Sequence, residues 1–476
     1  MFCTLAQLSP RVYGIDQVLS PYVYVFYASF IVAFVFTPIM RMVAIHYNIV
    51  DNPDRLRKMH QSPVAYLGGI AIFLGLLAGL AISQYLSLHR SEPGWPSPHP
   101  GIKFSIVLGA LIIVLLGLWD DLLGVRPTGK IIGQVAVAIL LLLDDVGSQC
   151  TRSLLENLLM KIFQLIGPVD SSGAAIGPDL VNSTWFQPLV YVTSSLLVVV
   201  VVVGCCNATN LMDGLDGLCG GVTAIIAFGF VFIAVHLAMY GGGLNTNWDA
   251  LRVILGLAIL GAVLGFVPYN FNPASIFMGD AGSMLLGFVC AVMIILMAQE
   301  RPKWFLAAMV MFALPVLDTT LAFARRWIAG RPLFSADAQH FHHQLVQRGF
   351  TVKQTVLISY GLAVFFALLG ATIVFIRTRY SVAIYLVTFG SIVVAAYKIG
   401  MVHERPRGGR PSTLEDATTN RNTEVVNSGE AFEVQGKTAV TADTGGIGSG
   451  GSEAGSASRD TADPAVHRQA SIPPAA

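Results

Sequence analysis

Residues 188–217, PLVYVTSSLLVVVVVVGCCNATNLMDGLDG, run without a break from an apolar segment into two asparagines and two aspartates. The apolar part, about 188–205, reads as a bilayer span. In the polar part, Asp213 and Asp216 are three apart and Asn207 and Asn210 have the same spacing. On a helix such residues share one face and offer oxygen ligands and hydrogen bonds to a hard ion such as magnesium, or to a nucleotide. Gly214 and Gly217 permit close backbone approach. An Asx-rich turn is the plainer alternative. Yet a carboxylate this close to hydrocarbon costs roughly 3 kcal/mol, so it is kept for a specific gain.

Four more polar stretches, 51–67, 117–130, 269–283 and 318–343, are wedged between apolar runs in the same way. The chain is 54% hydrophobic and 12% charged, against roughly 25% charged in soluble domains. This is an all-α polytopic membrane protein. Eleven spans are expected, near 21–44, 65–86, 102–118, 130–143, 188–205, 218–240, 250–267, 283–298, 303–323, 355–376 and 381–401, the fourth being short and followed at once by Asp144 and Asp145. The polar stretches follow spans 1, 3, 5, 7 and 9, so all open on one face. Basic residues divide almost evenly between the faces, and only Arg405, Arg407 and Arg410 tip the motif face to the cytoplasm. Net charge of +1 gives no nucleic-acid footprint. The six cysteines form no C-x-x-C pair and read as small packing residues.

The organisation expected is an N-terminal segment (1–20), a transmembrane domain (21–401) and a disordered tail (402–476) poor in bulky apolar residues. Residues 152–166, RSLLENLLMKIFQLI, show apolar residues at helical spacing and suit a helix lying along the outer interface. A simple packing helix is the alternative.

The motifs divide the chemistry. In GLWDDLLGVRPTGK (117–130), adjacent Asp120 and Asp121 diverge by about 100 degrees on a helix, so one can face a cation or proton while the other caps or orients. Lys130 suits either phosphate or the aspartates. In YNFNPASIFMGDAGS (269–283), Asp280 precedes a helix start that favours anions and can hold magnesium bridging phosphates, with Asn270 and Asn272 adding amides; a plain N-cap is the alternative. In the last stretch, Arg325, Arg326 and Arg331 suit bidentate phosphate contacts, and His340 and His343 would share a helical face with His342 rotated away. No cysteine accompanies the histidines, which argues against zinc.

Taken in order, RKMHQSPVAYLGG, GLWDD with Lys130, NATNLMDGLDG, NPASIFMGDAGS and RPLFSADAQHFHH resemble the signatures of the polyprenyl-phosphate N-acetylhexosamine-1-phosphate transferases (glycosyltransferase family 4) over roughly residues 21–401. The resemblance implies transfer of a sugar 1-phosphate from a UDP-sugar to undecaprenyl phosphate with release of UMP. It implies a magnesium cofactor, replaceable by manganese, a cytoplasmic-face active site in the bacterial inner membrane, and room for a homodimer. His340, His342 and His343 in an H-x-H-H pattern are similar to the branch that transfers GlcNAc-1-phosphate to initiate O-antigen, enterobacterial common antigen or teichoic-acid linkage units. The phospho-MurNAc-pentapeptide translocase branch usually shows three consecutive histidines.

By this resemblance Asp213 and Asp280 are the magnesium ligands, and Asp120 and Asp121 lie near the lipid phosphate, one of them able to deprotonate it. Asn210 and Asn270 contact the nucleotide diphosphate and Lys130 a phosphate or nucleotide, while Arg325, Arg331 and the histidines form the sugar and diphosphate loop. One-step attack and a two-step route through an aspartyl-phosphosugar both fit. A secondary transporter would place its charges near the midplane of paired repeats, and a CDP-alcohol phosphotransferase would need Ala-Arg after D-G-x-x and further aspartates downstream, whereas this chain reads D-G-L-D-G-L from Asp213.

Overall fold

The computed structural model describes residues 14–51, 63–89, 101–166, 183–240, 247–299, 302–328, 330 and 340–398. Within them the chain forms fifteen α-helices. They are α1 (Ile15–Leu19), α2 (Val23–His46), α3 (Gly68–His89), α4 (Phe104–Leu123), α5 (Pro127–Leu143), α6 (Arg152–Ile166), α7 (Phe186–Met212) and α8 (Leu218–Tyr240). Then follow α9 (Asn247–Asn270), α10 (Gly279–Ala298), α11 (Pro302–Met311), α12 (Ala313–Ile328), α13 (Phe341–Gln347), α14 (Val352–Phe375) and α15 (Thr378–Lys398). Long apolar helices are what a bilayer selects, because a spanning segment must satisfy every backbone N–H and C=O internally.

Ten of the eleven expected spans fall, in their described residues, on a single apolar helix each. Among the described residues eight are long and apolar enough to cross a membrane alone, while α5 and the apolar part of α15 are shorter. The ninth expected span is a pair instead: α11 and α12 meet at Phe312 with a bend of 75°. Pro315 sits in the first turn of α12, where its missing N–H costs nothing, and so allows a new helix to begin there. A small departure from all-α structure is an antiparallel pair of two-residue strands, β1 (Val50–Asp51) and β2 (Val64–Ala65). Phe277 N donates to Ala65 O at 2.8 Å and Gly68 N to Phe277 O at 2.9 Å, so the loop before α10 is stitched to the start of α3.

Helix α10 lies at the centre of the described helices, buried at every residue but Asp280 among α3, α4, α7, α9 and α11. In lipid, helices associate by close packing of small residues. Accordingly Gly69 of α3 and Gly117 of α4 meet the backbone of α10 around Ala281 and Gly282, and Gly287 of α10 meets α7 at Cys205 and Thr209. Gly261 and Gly265 of α9 lie in the same manner against the backbone of α2 at Phe26 and Phe30. At the far end of α10, fully buried Arg252 donates from Nε and Nη2 to Leu296 O at 3.1 and 2.8 Å and pairs with Asp249 at 2.6 Å. Helix α6 packs Leu155 and Leu159 on Phe186 and Val190 of α7 and leaves Leu154 and Leu158 exposed. Residues 1–13 and 399–476, with the expected tail, lie outside the described residues.

Candidate active site

The exits of α4, α7 and α9 meet at the start of α10, and α12 reaches the loop after α7 through the histidines of α13. Asp121, on the same face of α4 as Gly117, caps that helix: Oδ1 accepts from Asp280 N at 2.8 Å and Oδ2 from Ala281 N at 3.2 Å. A carboxylate at a helix N-terminus satisfies free N–H groups and complements the dipole. Asp120 points elsewhere, accepting from Val125 N at 2.7 Å through Oδ1. The Lys130 ammonium is bonded to the other Asp120 oxygen and stands 2.5 Å from Asp280 Oδ2. Of the two partners open to Lys130 on sequence grounds, the structure shows the aspartates.

The loop after α7 adds the second group of carboxylates. Asp216 is a latch, its Oδ2 accepting from Asn272 Nδ2 and Ala274 N at 3.0 Å each. Asn270 braces the same loops from within: its Oδ1 accepts from Gly217 N at 3.1 Å and its Nδ2 donates to Ile276 O at 3.0 Å. Both ends of that amide are therefore engaged with protein. Asn210 donates to Ser283 Oγ at 3.1 Å, tying α7 to α10. The Asp213 carboxylate has no hydrogen-bond donor among the described residues, and burial together with Asp280, Asp121 and Asp216 pushes it well above the usual carboxylate range.

Among the described residues no three acidic, cysteine or histidine side chains converge into a ready-made metal cage. The donor chemistry still suits magnesium, which is bound through one or two carboxylates plus waters and substrate phosphates rather than by an all-protein shell. Like charges gathered around Asp213 are the setting in which a divalent cation is favoured.

The histidines are arranged differently from the expectation. His340 is the N-cap of α13, with φ −58° and ψ 158°, so helical spacing does not apply to it. As a result His340 and His342 lie side by side, rings 5.7 Å apart and within 8° of parallel, and His343 is set at 51° to His340. Both of the parallel rings turn Nδ1 toward Asp318, at 3.2 and 4.0 Å from its Oδ2. His342 is buried with its Nε2 against Gly214, beside Asp213. Burial, aided by His343 and His340 and opposed by Asp318, pushes the His342 imidazole down to about 3, so it is neutral. Arg325 is buried in α12, whereas Arg331 lies outside the described residues.

Two residues without an assigned role on sequence grounds belong to this assembly. Asp318 opens the polar stretch 318–343, and an acid inside an apolar helix is the signal for it. Tyr360 of α14 donates to Gly217 O at 2.6 Å and packs on Gly221. No local pattern singles it out, because it acts on a loop 143 residues away.

Residues 103–298 match the family model of glycosyl transferase family 4. The chain is 29% identical over 393 residues, 82% of its length and 96% of the relative's, to the probable undecaprenyl-phosphate N-acetylglucosaminyl 1-phosphate transferase of Bacillus subtilis (strain 168). It is 31% identical over 378 residues, 77% of its length and 85% of the relative's, to the decaprenyl-phosphate N-acetylglucosaminephosphotransferase of Mycobacterium tuberculosis (strain H37Rv). To the undecaprenyl-phosphate alpha-N-acetylglucosaminyl 1-phosphate transferase of Yersinia pestis it is 28% identical over 402 residues, 80% of its length and 93% of the relative's.

Proposed function

Because the chain belongs to glycosyl transferase family 4, we propose that this site moves GlcNAc-1-phosphate from UDP-GlcNAc to undecaprenyl phosphate, releasing UMP. The observation that supports it most is the gathering of Asp120, Lys130, Asp213 and Asp280 where α10 begins. Joining two phosphates means bringing together groups that repel, so catalysis rests on holding them in line and offsetting their charge.

The chain's own residues divide that work. Lys130 supplies a cation that can turn from Asp280 to a phosphate oxygen. Asp120 is positioned to hold the acceptor's proton. Asp121 keeps the start of α10 in register with α4, and Asp216 and Asn270 keep the 213–217 loop in place. Asp213 and Asp280 would hold magnesium, which when bound withdraws charge from the diphosphate and stabilises UMP as leaving group. In the reaction an oxygen of the lipid phosphate bonds to the sugar-bearing phosphorus as the bond from that phosphorus to the UMP oxygen breaks. The membrane is the bacterial cytoplasmic membrane, and the site opens to the cytoplasm.

The test is purified protein with undecaprenyl phosphate and a panel of UDP-sugars, following UMP release and lipid-linked product. UDP-GlcNAc should be used, and UDP-MurNAc-pentapeptide should be rejected by up to roughly 10⁴-fold, because a peptide-bearing donor would need extra room and polar partners of its own. Efficient use of the pentapeptide donor would assign the protein to peptidoglycan synthesis instead.

A further inference from the structure

We infer that Asp318 is a positioning residue of the transfer site: it holds His340 by its Nδ1 edge, faces Nδ1 of the His342 ring stacked on His340, and so keeps the Nε2 edge of His342 against the loop that bears Asp213. The inference rests on the proposed role of that loop in binding the donor.

Asp318 lies in α12 and is 4% exposed, so its charge must be offset locally. Its Oδ1 accepts from Phe341 N at 2.7 Å, which fixes the chain at the start of α13. Its Oδ2 has no other hydrogen-bond partner among the described residues, and neither has His340 Nδ1, 3.2 Å away. Two buried polar atoms at that separation are completed by each other. His342, stacked on His340, turns its own Nδ1 to the same oxygen. The ring's other nitrogen is buried and has no acceptor among the described residues, so the proton belongs on Nδ1 and the lone pair on Nε2. That Nε2 abuts Gly214 so closely that any Cβ there would overlap the ring. The contacts thus form a relay from a carboxylate of α12, through an imidazole of α13, to the backbone next to Asp213. Asp318 touches no reacting group in this scheme and acts only through the histidines.

Asp318→Asn keeps the side chain's shape and one acceptor oxygen and removes its charge. Its kcat with UDP-GlcNAc should fall by about 10- to 100-fold, the range for losing a carboxylate that orients a histidine, while KM for undecaprenyl phosphate stays unchanged. Asp318→Asn combined with His342→Ala should lose no more than the worse single variant, since residues acting as a unit are not additive. Losses that multiply would overturn the inference, as would wild-type kinetics in Asp318→Asn. A third readout needs no variant: ¹⁵N-histidine NMR of the intact protein should show His342 neutral with its proton on Nδ1, and a proton on Nε2 alone would overturn the relay even if every variant misfolded. Failure of the wild type to use UDP-GlcNAc would instead count against the donor assignment. The tautomer, and the same cycle run with whichever UDP-sugar is accepted, would then decide the role of Asp318.

Discussion

Replacing Gly117 with alanine should disable the site without touching any of its charged groups. A Cβ at 117 would stand 2.6 Å from the carbonyl carbon of Asp280 and closer still to the backbone of Ala281. Ordinary contact begins at 3.4 Å, so going from 2.6 to 3.4 Å alone requires α4 and α10 to part by at least about 0.8 Å. Asp121 lies one turn along the same face of α4, and its 2.8 Å bond from Asp280 N would lengthen to about 3.6 Å or more, outside hydrogen-bonding range. Lys130 of α5, bonded to Asp120 of α4, bridges the same gap to Asp280, and that link would open as well. A misplacement on the order of 1 Å costs about 100-fold in rate, or about 2.7 kcal/mol of barrier. The measurement is kcat for lipid-linked product formation in detergent, alongside Gly204→Ala, which lies on α7 with nothing within 4 Å of its Cβ and should match wild type. If Gly117→Ala also turned over within about threefold of wild type, the close approach of α4 to α10 would not set the site's geometry.

Asp280→Asn should abolish magnesium- or manganese-dependent turnover while the protein still inserts and elutes normally, because a neutral amide holds a divalent cation far less tightly; near-normal turnover would count against a metal role. Cysteines placed at Thr128 and Lys353 should be blocked only by reagents that reach the cytoplasm, and one at Asn157 only from outside; mixed labelling of the first two would contradict a single active face. Tyr360→Phe removes the 2.6 Å bond to Gly217 and keeps the ring, so kcat should drop by about three- to tenfold with insertion unchanged, as expected for about 1 kcal/mol; unaltered kcat would show that α14 does not steady the loop. Truncation after Gly409 should leave turnover unchanged, and a loss would give the tail a role in catalysis.

The spans were legible in the sequence because hydrocarbon imposes one rule on all of them, and the polar exits were legible because charge beside hydrocarbon is costly enough to be deliberate. What each polar residue does there was less so. Asp120 and Asp121 are chemically alike, and only the arrival of α10, some 160 residues later, makes Asp121 a helix cap. Asn270 reads as a free amide until the 213–217 loop folds onto it. His340 and His343 share no helical face for a local reason: His340 precedes the helix, so helical periodicity does not reach it. The bend at Phe312 does not stand out in the sequence, because an apolar run reads as continuous whether or not the helix is, although Pro315 is its visible mark.

Helix α10 meets protein on every side, yet it is no less apolar than α4, much of which is open to its surroundings. In water such a composition would be explained by burial. In a membrane it cannot be, because lipid tails are as apolar as leucine and burial against other helices gains little from hydrophobicity. Its apolarity instead records an earlier moment, when the segment left the insertion machinery and stood alone in lipid before its neighbours closed around it. Two selections are therefore written into the same twenty residues: bulky apolar side chains that let the helix enter the bilayer unaccompanied, and glycines that later let other helices reach its backbone. A polar substitution midway along α10 should thus be felt first during biosynthesis, as failed integration, before any question of packing arises.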